Sequence, residues 1–146
     1  MIRILLVDDF ELWRRFICSI VQKTPEFTIV CEVSDGLAAV QKANELKPDL
    51  ILLDIGLPKL NGIAAARQIC QIDPRSKILF ISEDRSADIV REALRFGAGF
   101  LAKADACEEL LPAIRAVTLG GRFFTSRLAR PAFAEDSDAL ESARSL

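Results

Sequence analysis

Three aspartates and one lysine, each placed directly after an apolar run, are the side chains in this sequence best suited to chemistry. Asp8 and Asp9 follow Ile2–Val7, Asp54 follows residues 50–53, and Lys103 follows residues 100–102. Buried parallel strands have this aliphatic character, and open α/β sheets bind ligands beyond the carboxyl ends of their strands. We therefore expect these four charged groups to form one site. Three carboxylates beside a single ammonium are unfavourable without a cation, so the set suits a divalent metal and a phosphoryl group.

The composition excludes several classes of function without assigning one. The 146 residues are enough for one domain with a hydrophobic core. The net charge of −2 gives no reason to expect direct nucleic-acid binding. The apolar runs are too short to span a membrane and no leader-like segment is evident, so we expect a cytoplasmic protein. The sequence contains no histidine, which excludes a histidine-based triad and a histidine-ligated zinc site.

The four cysteines are expected to be free, buried thiols. They are scattered at positions 18, 31, 70 and 107, and no C-x-x-C pair occurs among them. Mostly apolar surroundings and wide spacing are typical of thiols that pack in a core rather than bind metal or form disulfides.

Apolar runs of strand length alternate with segments of helical periodicity, which predicts an α/β fold. Five such units imply a doubly wound parallel sheet with right-handed crossovers. Ser34 or Asp35 is expected to cap the second helix and Asn61 the third, while Gly97 suits a left-handed cap after a fourth helix over residues 86–96. The alternation of apolar runs and segments of helical periodicity ends after residue 121. We therefore expect a domain over residues 1–121 and a mobile tail over residues 122–146.

At these positions the sequence resembles the receiver domain of bacterial two-component response regulators. The matching segments are L-L-V-D-D at 5–9, D-L-I-L-L-D-I-G-L-P at 49–58, N-G at 61–62, I-L-F-I-S at 78–82 and G-A-G-F-L-A-K at 97–103. S-D-G at 34–36, E-E-L-L-P-A-I at 108–114 and G-G-R-F at 120–123 are similar to receivers fused to a LuxR-type helix-turn-helix. The resemblance implies a flavodoxin-like, five-stranded sheet of order 2-1-3-4-5 with five helices.

The resemblance also implies a phosphoacceptor and a metal site. Asp54 matches the aspartate that accepts a phosphoryl group. The resemblance implies that the chain has no enzyme activity beyond self-catalysed phosphotransfer to this residue and autodephosphorylation. Asp9 and Asp54 match direct ligands of Mg²⁺, the backbone carbonyl of Gly56 would be a further ligand, and Asp8 would act through a bound water. Oxygen ligands and retained waters are what Mg²⁺ prefers.

The remaining matches concern the conformational switch. Lys103 matches the lysine that pairs with the phosphoryl oxygens, Ser82 the switch hydroxyl, and Phe100 the aromatic ring that swings inward when the loop after Ser82 moves. Ala104 replaces a proline that follows a cis peptide bond in the family, so the isomer of this bond stays open. A non-proline cis bond costs about 3 kcal/mol.

Each of these residues also has an ordinary structural interpretation. An aspartate after a strand is often a loop residue or helix cap, Ser82 could form a turn, and Phe100 could be a core residue. Chance convergence of Asp9, Asp54 and Lys103 at three strand ends is much less plausible. Glu83 and Asp84 depart from the small residue that commonly follows the switch hydroxyl, which leaves the rates of phosphorylation and dephosphorylation open.

Three other functional classes fit the sequence less well. A flavodoxin-like electron carrier needs a phosphate-binding loop after the first strand, where Asp8 and Asp9 would repel phosphate. A haloacid dehalogenase-type hydrolase has a D-x-D motif there, and this chain has adjacent aspartates. A DNA-binding regulator needs a basic recognition helix, which is not found before Leu146. We therefore expect a stand-alone receiver, with the receiver half of a truncated transcriptional regulator as the alternative.

Protein partners follow from the resemblance. A sensor histidine kinase or phosphotransfer protein would supply the phosphoryl group. An unidentified output protein, or a second copy of the chain in a homodimer, would bind the face made by residues 86–96, 99–102 and 107–119.

Overall fold

The computed structural model describes residues 1–125 of the chain. Helices and strands alternate as the apolar pattern predicts. The strands are β1 Ile2–Val7, β2 Phe27–Val33, β3 Leu50–Asp54, β4 Ile78–Ser82, β5 Gly99–Ala102 and β6 Phe123–Phe124. The helices are α1 Glu11–Val21, α2 Gly36–Leu46, α3 Gly62–Ile72, α4 Ala87–Ala93 and α5 Ala106–Thr118, with a 3-10 turn at Lys103–Asp105 before α5.

All strand pairs are parallel, and the sheet order is β2-β1-β3-β4-β5-β6. The predicted order of the first five strands and the five predicted helices are confirmed. The predicted five-stranded sheet was one strand too small, because Phe123 and Phe124 pair with Gly99 and Phe100 at the edge. Two residues give too little periodicity to indicate a strand in the sequence. The sheet therefore extends past residue 121, and the predicted mobility of the tail lies mostly outside the described residues.

The strands separate two apolar layers, one on each face of the sheet. Ile4 and Leu6 of β1 pack with residues of α1 and α5, whereas Leu5 and Val7 pack with residues of α2, α3 and α4. Successive side chains of a strand point to opposite faces, so a strand covered by helices on both faces must be apolar throughout. This burial holds the strand ends, and therefore the polar groups beyond them, in a fixed arrangement.

Two predicted helix caps are present. The side chain of Asp35 accepts a hydrogen bond from the Ala38 N–H at 2.8 Å, so Asp35 rather than Ser34 caps α2. The side chain of Asn61 accepts one from the Ala64 N–H at 2.9 Å and caps α3. Each bond satisfies a backbone donor that the first helical turn leaves without a partner.

The fourth helix differs from its prediction. It ends at Ala93 rather than near residue 96, and Gly97 does not adopt the predicted left-handed conformation. A Cβ atom at position 97 would lie 2.6 Å from the ring of Phe80, so glycine is needed there for space rather than for backbone conformation. Sequence periodicity cannot reveal such a contact, because Phe80 lies on another strand.

The four cysteines are free, as predicted, but none is fully buried. Cys18, Cys31 and Cys70 are half-buried and Cys107 is exposed. Across residues 1–125, no helix has the length and apolar character needed to cross a membrane.

Candidate functional site

The predicted site residues meet at the carboxyl edge of the sheet. Asp54 is the last residue of β3 and Ser82 the last residue of β4, and Lys103 directly follows β5. The register aligns these strand ends, since Asp54 pairs with Ile81 and Ser82 pairs with Ala102. Asp8 follows β1 at the neighbouring position. The parallel arrangement thus brings together residues that lie far apart in the sequence.

Asp8, Asp9 and Asp54 form a compact acidic cluster. One carboxylate oxygen from each residue lies within 4.8 Å of the other two. Asp8 and Asp54 are buried and Asp9 is exposed, so the cluster is reachable from solvent on one side. An all-oxygen donor set with waters on the open side fits a hard divalent cation such as Mg²⁺. The structure therefore brings together the three aspartates that the sequence predicts as metal ligands.

Lys103 provides the positive charge beside this cluster. Its Nζ lies 2.7 Å from Asp8 Oδ2 and 3.8 Å from Asp54 Oδ2. The ammonium also lies 5.0 Å from the centroid of the Trp13 ring, which is within the range of a cation–π contact. Its side chain is mostly buried, so solvent screens these interactions less than at the surface. Lys103 is thus held between two carboxylates and an aromatic ring.

The backbone and a neighbouring arginine fix Asp8 in this position. Its Oδ1 accepts a hydrogen bond from the Phe10 N–H at 2.8 Å, and its carbonyl accepts one from Arg14 Nη1 at 2.7 Å. Arg14 also pairs with Glu32 on β2 at 3.2 Å. Among residues 1–125, Asp8 Oδ2 accepts no hydrogen bond, and its 2.7 Å contact with the Lys103 ammonium is an ion pair. This buried oxygen is the one that faces the lysine.

The surroundings of Asp54 favour its protonated form. Burial, and then the negative charge of Asp8, raise the pKa of Asp54 to about 6, while Lys103 and the backbone N–H groups of Gly56 and Ile55 oppose the increase. A carboxylate with a raised pKa is destabilised when ionised, and a cation nearby relieves that destabilisation. The cluster is therefore arranged to bind positive charge at neutral pH.

A cavity of about 540 Å³ opens onto the phosphoacceptor candidate. Ser82 is buried at its wall, and its Oγ accepts a hydrogen bond from the Asp84 N–H at 3.1 Å. The hydroxyl hydrogen of Ser82 is then available to donate to a group in the cavity. The lining residues are Asp9, Phe10, Asp54, Ile55, Gly56, Ser82, Glu83, Asp84 and Lys103. Glu83 and Asp84, the departures noticed in the sequence, thus add carboxylates to a wall that is already acidic.

Gly56 and the bond after Lys103 complete the predicted set. Gly56 lines the cavity beside Asp54, and a Cβ atom at this position would meet no atom within 4 Å. The Lys103–Ala104 peptide bond is trans, as are all peptide bonds of the described residues. The sequence left this isomer open, and the structure has the trans form, which is lower in free energy when no proline follows.

Phe100 is fully buried in the core layer that includes Phe80 and Val90. It pairs with Phe80 of β4 on one side and Phe124 of β6 on the other. The ring therefore occupies an inward position in this structure.

A second cavity, of about 460 Å³, lies at the opposite ends of the strands, beside Met1, Asp49 and Lys77. The cations there have partners, since Lys77 donates to the Thr118 carbonyl and Arg75 pairs with Asp73. The three aspartates and the lysine are absent from its lining, so the carboxyl edge of the sheet is the candidate site.

Three residues near the site are not among those that the sequence motifs predict: Trp13, Arg14 and Glu32. Trp13 contacts Lys103 from the first turns of α1, and its position shortly after the first strand is the signal in the sequence that places it near the strand end. Arg14 and Glu32 bind each other across α1 and β2, and no local pattern reveals that pairing.

The comparisons with known proteins agree with this geometry. Residues 4–115 match the family model described as the response regulator receiver domain. The transcriptional regulatory protein DegU of Brevibacillus brevis is 36% identical over 123 residues, which are 84% of this chain and 52% of DegU. The chemotaxis protein CheY of Listeria monocytogenes is 36% identical over 115 residues, which are 78% of this chain and 96% of CheY.

Solved structures show the same fold. The crystal structure of a LuxR-family two-component response regulator from Aurantimonas sp. has a TM-score of 0.82 and 27% identity, covering 97% of this chain and 99% of the other. The chain spans about half the length of DegU and nearly the whole of CheY. The family match covers most of the chain and includes all the clustered residues, so this chain belongs to the response regulator receiver family of two-component signalling proteins.

Proposed function

We propose that Asp54 accepts a phosphoryl group and that the chain acts as a phosphorylation-controlled switch. The observation that carries this proposal is the convergence of Asp8, Asp9, Asp54 and Lys103 at one edge of the sheet, next to the Ser82 hydroxyl. A single carboxylate nucleophile, clustered acids for a cation and a lysine for phosphoryl oxygens are the parts that phosphoryl transfer requires.

Asp8, Asp9 and Asp54 would hold Mg²⁺, with Asp9 and Asp54 as direct ligands, the Gly56 carbonyl as another, and Asp8 acting through a water. When bound, the cation supplies charge neutralisation for both the carboxylates and the incoming phosphoryl oxygens. The open side formed by Asp9 leaves room for waters and for the phosphodonor.

In the transfer itself, a carboxylate oxygen of Asp54 attacks the phosphorus atom of a phosphohistidine on the donor protein. A P–O bond to Asp54 forms as the P–N bond to the imidazole breaks, and the imidazole takes up a proton as it leaves. The protein contributes mainly alignment of the reacting groups and charge neutralisation, because these are what the loose transition state requires.

Lys103 and Ser82 act after the phosphoryl group is in place. The Lys103 ammonium pairs with a phosphoryl oxygen, which requires that it give up part of its contact with Asp8. The Ser82 hydroxyl donates to another phosphoryl oxygen and draws the loop toward Asp54. Phe100 stays inward to fill the space behind that loop. Hydrogen bonds of this kind shift the population between two existing conformations of the loop and do not create a new one.

The proposal limits the chemistry to phosphotransfer onto Asp54 and autodephosphorylation, in a cytoplasmic protein. A sensor histidine kinase or phosphotransfer protein would be the donor. Its docking surface would include the exposed side chains of Phe10, Leu12 and Phe16, since Phe10 lines the mouth of the cavity and the other two continue along α1. Output would go to a protein partner or a second copy of the chain.

Beryllofluoride, which mimics a phosphoryl group on aspartate, tests the proposal. With Mg²⁺ present it should change the Trp13 fluorescence in the wild-type protein, because Trp13 contacts Lys103. Asp54→Asn should abolish the change, and Asp88→Asn, an exposed acid on α4, should leave it intact. A response that persists in Asp54→Asn would refute the assignment of the phosphoacceptor.

A second candidate function is the receiver part of a DNA-binding transcriptional regulator. It is favoured by the similarity to DegU, of which this chain spans about half, whereas the similarity to CheY supports a receiver that acts alone. The reading frame downstream of Leu146 distinguishes the two: a helix-turn-helix encoded there would establish the regulator.

A further inference from the structure

The Lys103 ammonium lies over the ring of Trp13, with Nζ 5.0 Å from the ring centroid. A tryptophan ring attracts a cation more strongly than the other aromatic side chains do, and the attraction is strongest where water is excluded. The Lys103 side chain is only 11% exposed, so most of its surface is shielded from solvent. The ring therefore stabilises the ammonium in the position that it occupies in this structure.

The Trp13 ring is itself fixed by its surroundings. Its centroid lies 5.2 Å from that of the Phe16 ring, and the indole packs against the core layer that includes Ile17. Ile17 lies one turn further along α1 and is fully buried. The ring is thus a fixed surface on which the ammonium rests, and it does not move with the lysine.

The position that the ring stabilises is the one in which Lys103 pairs with Asp8. Nζ lies 2.7 Å from Asp8 Oδ2 and 3.8 Å from Asp54 Oδ2. Asp8 is 1% exposed and its Oδ2 accepts no hydrogen bond from residues 1–125, so the ammonium compensates the charge of this oxygen. Asp8 also belongs to the acidic cluster. A divalent cation in the cluster and the Lys103 ammonium would therefore compete for the same carboxylate.

A contact that stabilises only the metal-free arrangement opposes loading of the cluster. The apparent affinity for a ligand includes the free energy needed to leave the arrangement that the ligand does not favour. Trp13 is not among the residues that line the cavity over Asp54. Its route to the site is the contact with Lys103, which makes it a positioning residue.

We propose that Trp13 lowers the affinity of the acidic cluster for a divalent cation, and then for the phosphoryl group, by holding Lys103 against Asp8. This inference rests on the proposed function, in which the aspartates hold the cation and Lys103 pairs with the phosphoryl group. In the metal-free protein the ring and Asp8 share the ammonium. When the cluster is loaded, Lys103 leaves Asp8 and the ring together, and the free energy of the cation–π contact is lost.

Fluorination of the indole ring tests this role while nearly preserving the shape of the side chain. Trp13 is the only tryptophan, so a fluorinated tryptophan incorporated during expression changes this ring alone. Fluorine withdraws electron density from the π face and weakens its attraction for a cation. Binding of Mn²⁺, measured from the electron paramagnetic resonance signal of the free ion, should tighten from the unmodified to the monofluorinated and the trifluorinated ring. The full change should be about threefold to tenfold.

The same series in Lys103→Met is the matched control. Methionine keeps an apolar stem beside the ring but carries no charge, so fluorination should leave the Mn²⁺ affinity of this variant unchanged. A ring that served only for packing would alter the affinity in both series or in neither, because packing depends on shape and not on the charge of the π face.

Nuclear magnetic resonance of the Lys103 ε-methylene group reports the contact without any measurement of activity. In the metal-free wild-type protein, the ring current of Trp13 should shift these proton signals upfield. Trp13→Phe should keep part of the shift and Trp13→Leu should remove it. Addition of Mg²⁺ to the wild-type protein should move the signals toward their ordinary position, as the ammonium leaves the ring.

The outcomes separate this role of Trp13 from the proposed function. If the wild-type protein binds Mn²⁺ and Asp54 takes up a phosphoryl group, but fluorination leaves the affinity unchanged or lowers it, the role of Trp13 is refuted and the proposed function stands. Equal changes in the wild-type and Lys103→Met series would refute it as well, and so would methylene signals that do not respond to Mg²⁺. If the wild-type protein binds no Mn²⁺ and Asp54 takes up no phosphoryl group, both fail.

Discussion

The Lys103 ammonium lies 1.1 Å closer to Asp8 than to Asp54, with Nζ–Oδ2 distances of 2.7 and 3.8 Å. The sequence led us to expect that Lys103 serves the phosphoryl group on Asp54. In the structure its nearer partner is the buried Asp8, whose Oδ2 has no hydrogen-bond donor among residues 1–125. A divalent cation held by the aspartates would compete with Lys103 for Asp8. Under the proposed function, binding of the cation and release of the lysine toward the phosphoryl position would therefore be linked.

The raised pKa of Asp54 predicts that stability falls as pH rises. The carboxyl binds its proton more tightly in the folded state, with a pKa of about 6, than in the unfolded state, where the ordinary value is near 4. The stabilisation is complete below the unfolded value and is lost as pH rises through the folded one. After allowance for solvent screening at the cavity, the loss is about 2 kcal/mol.

Urea unfolding between about pH 4 and pH 8 measures this loss. Asp54→Asn should remove the decrease in the free energy of unfolding that Asp54 causes between these pH values. It should also make the protein more stable than the wild type at neutral pH. Asp88→Asn is the control. A wild-type curve that rises through the same interval, with no difference in Asp54→Asn, would show that Asp54 is not destabilised by its neighbours.

Removing the lysine charge should destabilise the fold in a pH-dependent manner. Lys103→Met keeps most of the apolar stem beside Trp13 but leaves Asp8 and Asp54 without their ammonium partner. We expect the free energy of unfolding to fall by about 2 kcal/mol at neutral pH, because buried negative charge is left without its positive partner. The loss should shrink at acidic pH as Asp54, whose pKa is raised to about 6, becomes protonated. Lys59→Met, which removes an exposed ammonium 3.7 Å from the Asp35 carboxylate, should have little effect at either pH. Equal losses at both pH values would point to packing rather than charge.

Metal binding should be visible through Trp13 and should need Asp9. A titration with Mg²⁺ or Mn²⁺ displaces Lys103 from Asp8 and changes the environment of the indole ring, which lies 5.0 Å from Nζ. Asp9→Ala should remove the response, since it deletes the solvent-facing member of the acidic cluster. Glu11→Ala, which removes an exposed acid at the first position of α1, is the control. An unchanged titration curve in Asp9→Ala would place the cation elsewhere.

Gly97→Ala should destabilise the protein by about 1–3 kcal/mol through overpacking. Its Cβ atom would lie 2.6 Å from the Phe80 ring, which is enclosed in the core and has no room to retreat. Gly56→Ala, where a Cβ atom meets nothing within 4 Å, is the matched control for folding stability. Thermal unfolding of both variants decides the point, and equal midpoints for the two would contradict this packing explanation.

The sequence predicts the fold well because burial on both faces makes the central strands continuously apolar. Leu50, Leu52 and Leu53 are all completely buried. An apolar run of this kind predicts a strand, and the charged residue that follows predicts where the strand ends. The site follows from the same signal, because parallel strands necessarily bring Asp54 and Lys103 to one edge. The cap at Asn61 depends on a local side chain and was predictable for that reason.

Features that depend on contacts between distant residues could not be predicted in this way. Phe123 and Phe124 form a strand only because Gly99 leaves space for their backbone. Lys103 lies nearer to Asp8 than to Asp54, and no spacing in the sequence shows which of the two carboxylates it pairs with. The ion pair of Arg85 with Asp105 and the hydrogen bond that Thr125 donates to Asp105 likewise join three segments that share no local pattern.

Covalent phosphorylation of Asp54 tests the central claim most directly. Incubation with acetyl phosphate and Mg²⁺, followed by intact-protein mass spectrometry, should show one added phosphoryl group in the wild-type protein. Chelation of the metal should prevent the addition, and Asp54→Asn should abolish it while Asp88→Asn retains it. A phosphoryl group that still appears on Asp54→Asn, or a wild-type protein that gains none, would contradict the account.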